Sequence, residues 1–208
     1  MKRLVLVLVL LAVAASSSPA QLSFGGGAHT NLAFTSFPRP ANEFYGLGYG
    51  GGVHADLNIL PFLSTRLSAD YSTFSSDKAK LKGLFTVRDR NGNLTNNFTV
   101  EGMNVAVIGV MANVLGKIPT GSAFRPYGLV GFGLQILSNS DLNVVVDGET
   151  IPVEKAAATT TNFGLNFGAG VDFALGHRTS LFLESKYTLM FTSGESSSYI
   201  PVTVGVSF

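Results

Sequence analysis

The residues able to do chemistry are few and fall into two sets. The first is histidine: the chain has only His29, His54 and His177, and it has no cysteine. Disulfides, thiolate nucleophiles, thiolate metal sites and a lipidated cysteine are thereby excluded. His54 and Asp56 lie two residues apart, on one face of an extended segment, and His29 falls on the polar face of the segment before it. These are the residue types of a general base with its orienting carboxylate. No serine–histidine–aspartate or metal-ligand spacing accompanies them, and an interior histidine hydrogen-bonded to a carboxylate explains the same pair. No catalytic residue, metal or cofactor is expected.

The second set is charged. Asp56, Arg66, Asp70, Arg125, Asp172, Glu184 and Lys186 each sit where small or polar residues alternate with apolar ones, and all seven share the polar parity of their segments. Three cations and four acids on one shared face suit an ion-pair network, because unpaired charge is costly to bury. A proton or ion path is the alternative chemistry. Two short matches carry less. Asn93-Leu94-Thr95 and Asn97-Phe98-Thr99 fit the glycosylation acceptor pattern, which arises readily by chance in Asn/Thr-rich loops. The glycine spacings of 46–52 and 164–170 open no helix, so they read as room for neighbouring side chains rather than phosphate loops.

The elements that must position these residues are strands. Eight segments alternate with period two: 22–32, 45–57, 63–73, 101–114, 125–137, 163–175, 181–191 and 199–208. In the sixth, Phe163, Leu165, Phe167, Val171 and Phe173 oppose Gly164, Asn166, Gly168, Gly170 and Asp172. The fourth is apolar on both faces, and its parity is not legible. Connections after the second, fourth and sixth segments are short, and the two longest follow the third and fifth. Those two contain Asn91-Gly92 and Asp147-Gly148 between apolar and β-branched residues. Both dipeptides suit tight hairpin turns, so strands three to four and five to six are expected to continue as hairpins beyond the barrel. The fold class is all-β, an eight-stranded antiparallel up-and-down barrel. In a barrel of this size side chains fill the interior, so the seven charges should pair there as a lumen network.

Residues 1–20 read as an export signal: Lys2 and Arg3, then an apolar run, then Ser18-Pro19-Ala20 as a small-residue cleavage site. The apolar run is too short for a bilayer of ~30 Å. The mature domain is then 21–208. Removing two of the 14 basic residues leaves 12 against 13 acids and moves the net charge from +1 to −1, which suggests no nucleic-acid partner. A composition 46% hydrophobic and 13% charged, without a long apolar run after residue 20, fits a closed barrel in lipid.

The ending carries a resemblance. Val202, Val204, Val206 and the terminal Phe208 share one parity, and Thr203, Gly205 and Ser207 the other. Together with the signal, the stretch Arg125-Pro126-Tyr127-Gly128-Leu129-Val130-Gly131-Phe132-Gly133 and the alternation from Phe163 to Phe173, this resembles the small eight-stranded bacterial outer-membrane β-barrel family. That group is similar to the transmembrane domain of outer-membrane protein A and to opacity-type proteins. The resemblance implies an outer-membrane location, contact with outer-membrane lipid, and a C-terminal signal (Val202, Val204, Val206, Phe208) read by the barrel-insertion machinery. Val206 stands where the family pattern usually has a second aromatic residue. With no tryptophan, the interfacial girdles fall to Tyr45, Tyr49, Tyr71, Tyr127, Tyr187, Tyr199 and the phenylalanines. The expected function is non-enzymatic: envelope integrity, and surface interaction or adhesion through the outer loops with a ligand or host protein. A narrow porin or transporter for small or hydrophobic molecules is the alternative. Parity alone also permits a soluble ligand-binding barrel with every face inverted, such as a lipocalin. Phe208 and the loop asymmetry favour the membrane.

Overall fold

The computed structural model describes residues 22–37, 41–88, 93–146, 149–154, 159–176, 179–192 and 196–208. The expected export signal, the Asn91-Gly92 and Asp147-Gly148 turns and His177 lie outside the described residues. In chain order the elements are β1 (Ser23–Phe37), α1 (Ala41–Phe44), β2 (Gly48–Leu60), β3 (Leu63–Phe74) and α2 (Lys78–Lys82). There follow β4 (Val87–Arg88), β5 (Leu94–Thr95), β6 (Phe98–Gly102), β7 (Val105–Lys117) and β8 (Phe124–Asn139). The chain closes with β9 (Leu142–Val146), β10 (Glu149–Glu154), β11 (Thr159–Ala174), β12 (Ser180–Phe191) and β13 (Ser197–Ser207).

Eight strands form a closed antiparallel barrel in the order β1-β13-β12-β11-β8-β7-β3-β2. The chain end completes it. Gly26 N donates to Phe208 O at 2.9 Å and Phe208 N to Gly26 O at 2.8 Å, and the β1–β13 ladder runs on through Thr30↔Val204 to Thr35↔Tyr199. Closure leaves no free edge strand for lipid to meet, the condition for a spanning β structure.

Parity decides the faces. Val53, Leu67, Val110, Val130, Phe132, Phe167, Leu183 and Val204 are exposed on the outside. His29, His54, Asp56, Arg66, Asp70, Lys117, Arg125, Asp172, Glu184 and Lys186, the charged and histidine residues of the eight barrel strands, lie on the inward parity. Such a molecule is inside out relative to a soluble domain, so the soluble, face-inverted barrel is set aside. The fourth segment departs from its expected bounds: its strand is Val105–Lys117, with Met111 and Leu115 buried inward and Val110 and Val114 outward. Glu101 belongs to β6 instead, because the chain turns a corner at Gly102 (φ 90°) and Met103 (φ 57°). A Cβ on Gly102 would stand 1.7 Å from the Asp141 carbonyl oxygen, so only glycine fits there.

At the end carrying the long connections stands a second, smaller structure. β6, β9 and β10 form a three-stranded sheet in the order β10-β9-β6, and β4 pairs with β5. The second long connection folds back as the expected hairpin, β9 with β10; in the first, α2 follows β3 and only the short β4 and β5 pair, so β3 and the fourth barrel strand do not continue as one hairpin. What the spacing did not suggest is that the two connections join. Gly102↔Leu142 through Phe98↔Val146 continues the register of the β7–β8 ladder, Val105↔Asn139, past the corner. Met103 N to Asp141 O and Ser140 N to Asn104 O tie the two bends together.

Candidate functional site

The interior is built from the short-turn end upward, the end that faces the periplasm in barrels of this architecture. Asp56, on β2, and Arg66, on β3, are directly opposite in the ladder. Arg66 donates from Nε and Nη2 to the two carboxylate oxygens of Asp56 at 2.7 and 2.9 Å, and from Nη1 to Glu184 Oε2 at 3.2 Å. The Tyr127 hydroxyl donates to the same Glu184 oxygen at 2.8 Å. Lys186 Nζ lies 3.3 Å from Glu184 and 4.0 Å from Asp70. Asp70 also accepts from Ser68 at 2.7 Å and sits 2.8 Å from His29 Nε2. One chain of charge-assisted contacts therefore crosses the lumen from Asp56 to His29. Five of the seven charges read from the sequence are in it.

The other two stand near the mouth. Asp172 lies 3.9 Å from Lys117 Nζ, and Arg125, its direct neighbour in the β8–β11 ladder, has a buried Nε without a hydrogen-bond partner. Lys117 was missed, since residues 116–123 read as a connection. With it, four cations face four acids. The signal that could have found it is parity: Lys117 continues the inward positions of Asn113 and Leu115.

The histidines are structural neighbours. Their rings stack with centroids 6.0 Å apart, and Phe182, 2% exposed, meets both edge-on at 6.1 and 5.4 Å. The Arg66 guanidinium covers the Phe182 ring at 5.2 Å, a cation–π contact. Glycines on the inward parity make this stack possible. A Cβ on Gly205 would lie 2.5 Å from the Phe182 ring and 2.6 Å from His29 Cβ. His54 Nε2 is 3.1 Å from Ser207 Oγ and 3.8 Å from Asp56, while its Nδ1 has no partner. A base with an orienting carboxylate uses opposite ring nitrogens for its two partners; here both crowd one nitrogen.

Above the network the lumen is plugged. Asn31, Asn166 and Thr203 are buried there around a gap of about 10 Å³, and Gln135 is fully buried on the same inward face. Higher still, Ala33, Phe74, Val107 and Tyr199 close an apolar cluster. Tyr45, outside the barrel strands, packs against that cluster, and burial raises its phenol above the usual tyrosine range. Below the network a cavity of about 740 Å³ opens, lined by Asp56, Arg66, Lys117, Arg125 and Asp172 among others. The expected girdle needs correction here. Tyr127 and Tyr199 are buried inside, their hydroxyls donating to Glu184 and Gln135, whereas Tyr49 and Tyr71 are exposed on the outer face. Both buried tyrosines fall on the inward parity, and a phenol placed there finds the acceptor it needs.

On the long-connection side, Leu81 of α2 and Phe98, Val100, Leu142, Val144 and Val146 of the three-stranded sheet form one apolar core, with Phe44, Phe85, Val87 and Met103 packed against it. Asp77 caps α2 by accepting from the amides of Ala79 and Lys80. Among the described residues no group of three or more potential metal ligands occurs.

A closed eight-stranded barrel with an apolar outer face and all its charge inside is what the family comparison matches. The model of the outer membrane protein beta-barrel domain covers residues 4–208. The chain belongs to this family. It is accordingly an integral protein of the bacterial outer membrane, its outer face in contact with lipid. Among solved structures, the Neisserial surface protein A is similar in fold, with a TM-score of 0.57 at 15% identity, over 89% of this chain and 97% of that one. A major outer membrane protein from Thermus thermophilus aligns with a TM-score of 0.53 at 15% identity, over 89% and 99%. No curated protein matches the chain. At these identities the neighbours speak for the fold, and the family is one of outer-membrane barrels.

Proposed function

We propose that the protein is a non-enzymatic, non-conducting barrel of the outer membrane that strengthens the envelope and presents its loop sheet to a partner outside the cell. The observation that carries this reading is the pairing of a plugged lumen with an outer sheet that has its own apolar core. A core of that kind holds a surface in one shape, which recognition needs. β10 forms one edge of the sheet, with its partner β9 on one side only, so an extended segment of another protein has backbone groups to pair with. The crowding of Asp56 and Ser207 onto one nitrogen of His54 speaks against that histidine as a general base. The export signal of residues 1–20 and the insertion signal of Val202, Val204, Val206 and Phe208 belong to the same reading. All four lie on the outer parity of β13 or just after it, and Phe208 is 69% exposed.

Two measurements test it. Refolded protein, residues 21–208, should give no steady conductance in planar bilayers; stepwise channels would overturn the closed-lumen half. Cells carrying a variant that lacks residues 142–154 should assemble the barrel yet attach less well to epithelial monolayers than wild type, and equal attachment would remove the loop sheet from adhesion. The narrow-transporter alternative has one observation in its favour. The β12–β13 ladder is interrupted at Lys186 and Tyr187, opposite Pro201 and Ile200, and proline has no amide hydrogen to donate. Uptake of a hydrophobic dye that falls when Pro201 is replaced by valine would favour a lateral route.

A further inference from the structure

The cavity below the charge network has no part in the surface reading, and it differs from the rest of the lumen in one respect. Above it the polar groups are committed to one another: Arg66 is held by both oxygens of Asp56 and by Glu184, and Glu184 is shared with Tyr127 and Lys186. Asp56 and Arg66 also line the cavity, but at its other charged residues, Arg125, Asp172 and Lys117, the pairing is incomplete. Arg125 and Asp172 are directly opposite on β8 and β11 and share the inward parity, the placement that ordinarily gives an ion pair. Asp172 instead approaches Lys117 at a loose 3.9 Å, Lys117 reaches for the Asn58 amide oxygen at 3.3 Å, and the Arg125 Nε is buried without an acceptor. A buried guanidinium nitrogen left without an acceptor is costly. The lining mixes hydrogen-bonding residues, Ser23, Asn58, Thr179 and Ser207 among them, with the apolar Phe24, Leu60, Pro61 and Phe208. The space, about 740 Å³, is within the range of small-molecule sites.

We infer that this periplasmic vestibule binds a small anion bearing phosphate or carboxylate oxygens, clamped between the Arg125 guanidinium and the Lys117 ammonium. Arginine supplies a planar fork that matches two such oxygens, and lysine supplies a compact second charge. Asp172 competes with the ligand for both cations and limits its affinity. Asp56 is occupied by Arg66 and so repels the anion less. The barrel wall separates the cavity from acyl chains, so the occupant is a soluble anion rather than a lipid headgroup.

The test is titration calorimetry on the refolded mature chain in maltoside micelles, which carry no phosphate, at low ionic strength. Inorganic pyrophosphate and citrate are the soluble probes, and phosphatidylglycerol doped into the micelles is the lipid probe. Pyrophosphate or citrate should bind at one saturable site. Arg125→Gln should weaken that site at least 10-fold, Lys117→Gln should weaken it several-fold, and Asp172→Asn should tighten it. Heat-dependent gel mobility checks that each variant remains a folded barrel. Asp172→Asn gives a gain that misfolding cannot mimic. Absence of saturable binding to wild type, equal affinity in Arg125→Gln, or weaker binding in Asp172→Asn would each overturn the site. Competition by phosphatidylglycerol alone, without binding of the soluble anions, would overturn its assignment to a soluble ligand.

Discussion

The barrel interior and the sheet on its outer end are two cores made by opposite rules. Inside the barrel, Arg66, Glu184 and Lys186 are buried along with Gln135, Asn166 and Thr203, and most apolar side chains of the strands point away from them into lipid. In the outer sheet, Phe98, Val100, Leu142, Val144 and Val146 close on Leu81 as in a soluble domain. The solvent explains the difference. Lipid offers apolar side chains no penalty for exposure, so the barrel's cohesion must come from its ladder and its paired charges. Water penalises the same side chains, so the outer sheet is held by burial.

The two rules can be separated by mutation. The largest effect should come from Arg66→Ala, which leaves Asp56 and Glu184 as buried, uncompensated carboxylates and should cost about 3–5 kcal/mol. Urea unfolding in micelles measures it, and a change under 1 kcal/mol would mean that the lumen network is not what holds the barrel. Leu81→Ala should cost about 2–5 kcal/mol, but only locally. Amide exchange of β6 and β9 should accelerate while the barrel's midpoint stays where it was. A barrel that melts together with the loop sheet would show that the two cores are one cooperative unit. On the lipid face, Val110→Arg at the middle of β7 should cost about 2–4 kcal/mol in bilayers. The reverse expectation holds for Val145, which is outside the membrane: Arg there should be tolerated, and equal damage at both positions would contradict the division. The smallest effect is the helix cap. Asp77→Ala should cost about 1 kcal/mol, again confined to the outer structure.

Much of the barrel was legible because a strand writes its two faces in alternate residues. Phe163 to Phe173 and Val202 to Phe208 could be assigned to lipid without any partner being known, and the seven charges to the lumen by the same parity. Alternation fails where both faces are apolar. Val105 to Lys117 faces Val107, Met111 and Leu115 inward and Ile108, Val110 and Val114 outward, so hydropathy could neither set its register nor find Lys117 at its end. Tyr127 and Tyr199 mislead for a related reason. Tyrosine is at home both at an interface and beside a buried acceptor, and only Glu184 and Gln135 across the lumen decide between them.

Outside β7, the sequence by itself determined which residues of a strand share a face, because that follows from strand period alone and needs no knowledge of neighbours. Three-dimensional closure decided who meets whom. Arg66 lies 118 residues from Glu184 along the chain, and β6 meets β9 in the register that the β7–β8 pairing beneath them sets. The local pattern carries no information about such distant pairings. They follow from the order in which the strands close the ring, which brings together the charge network, the vestibule with Arg125 and Lys117, and the shared outer sheet.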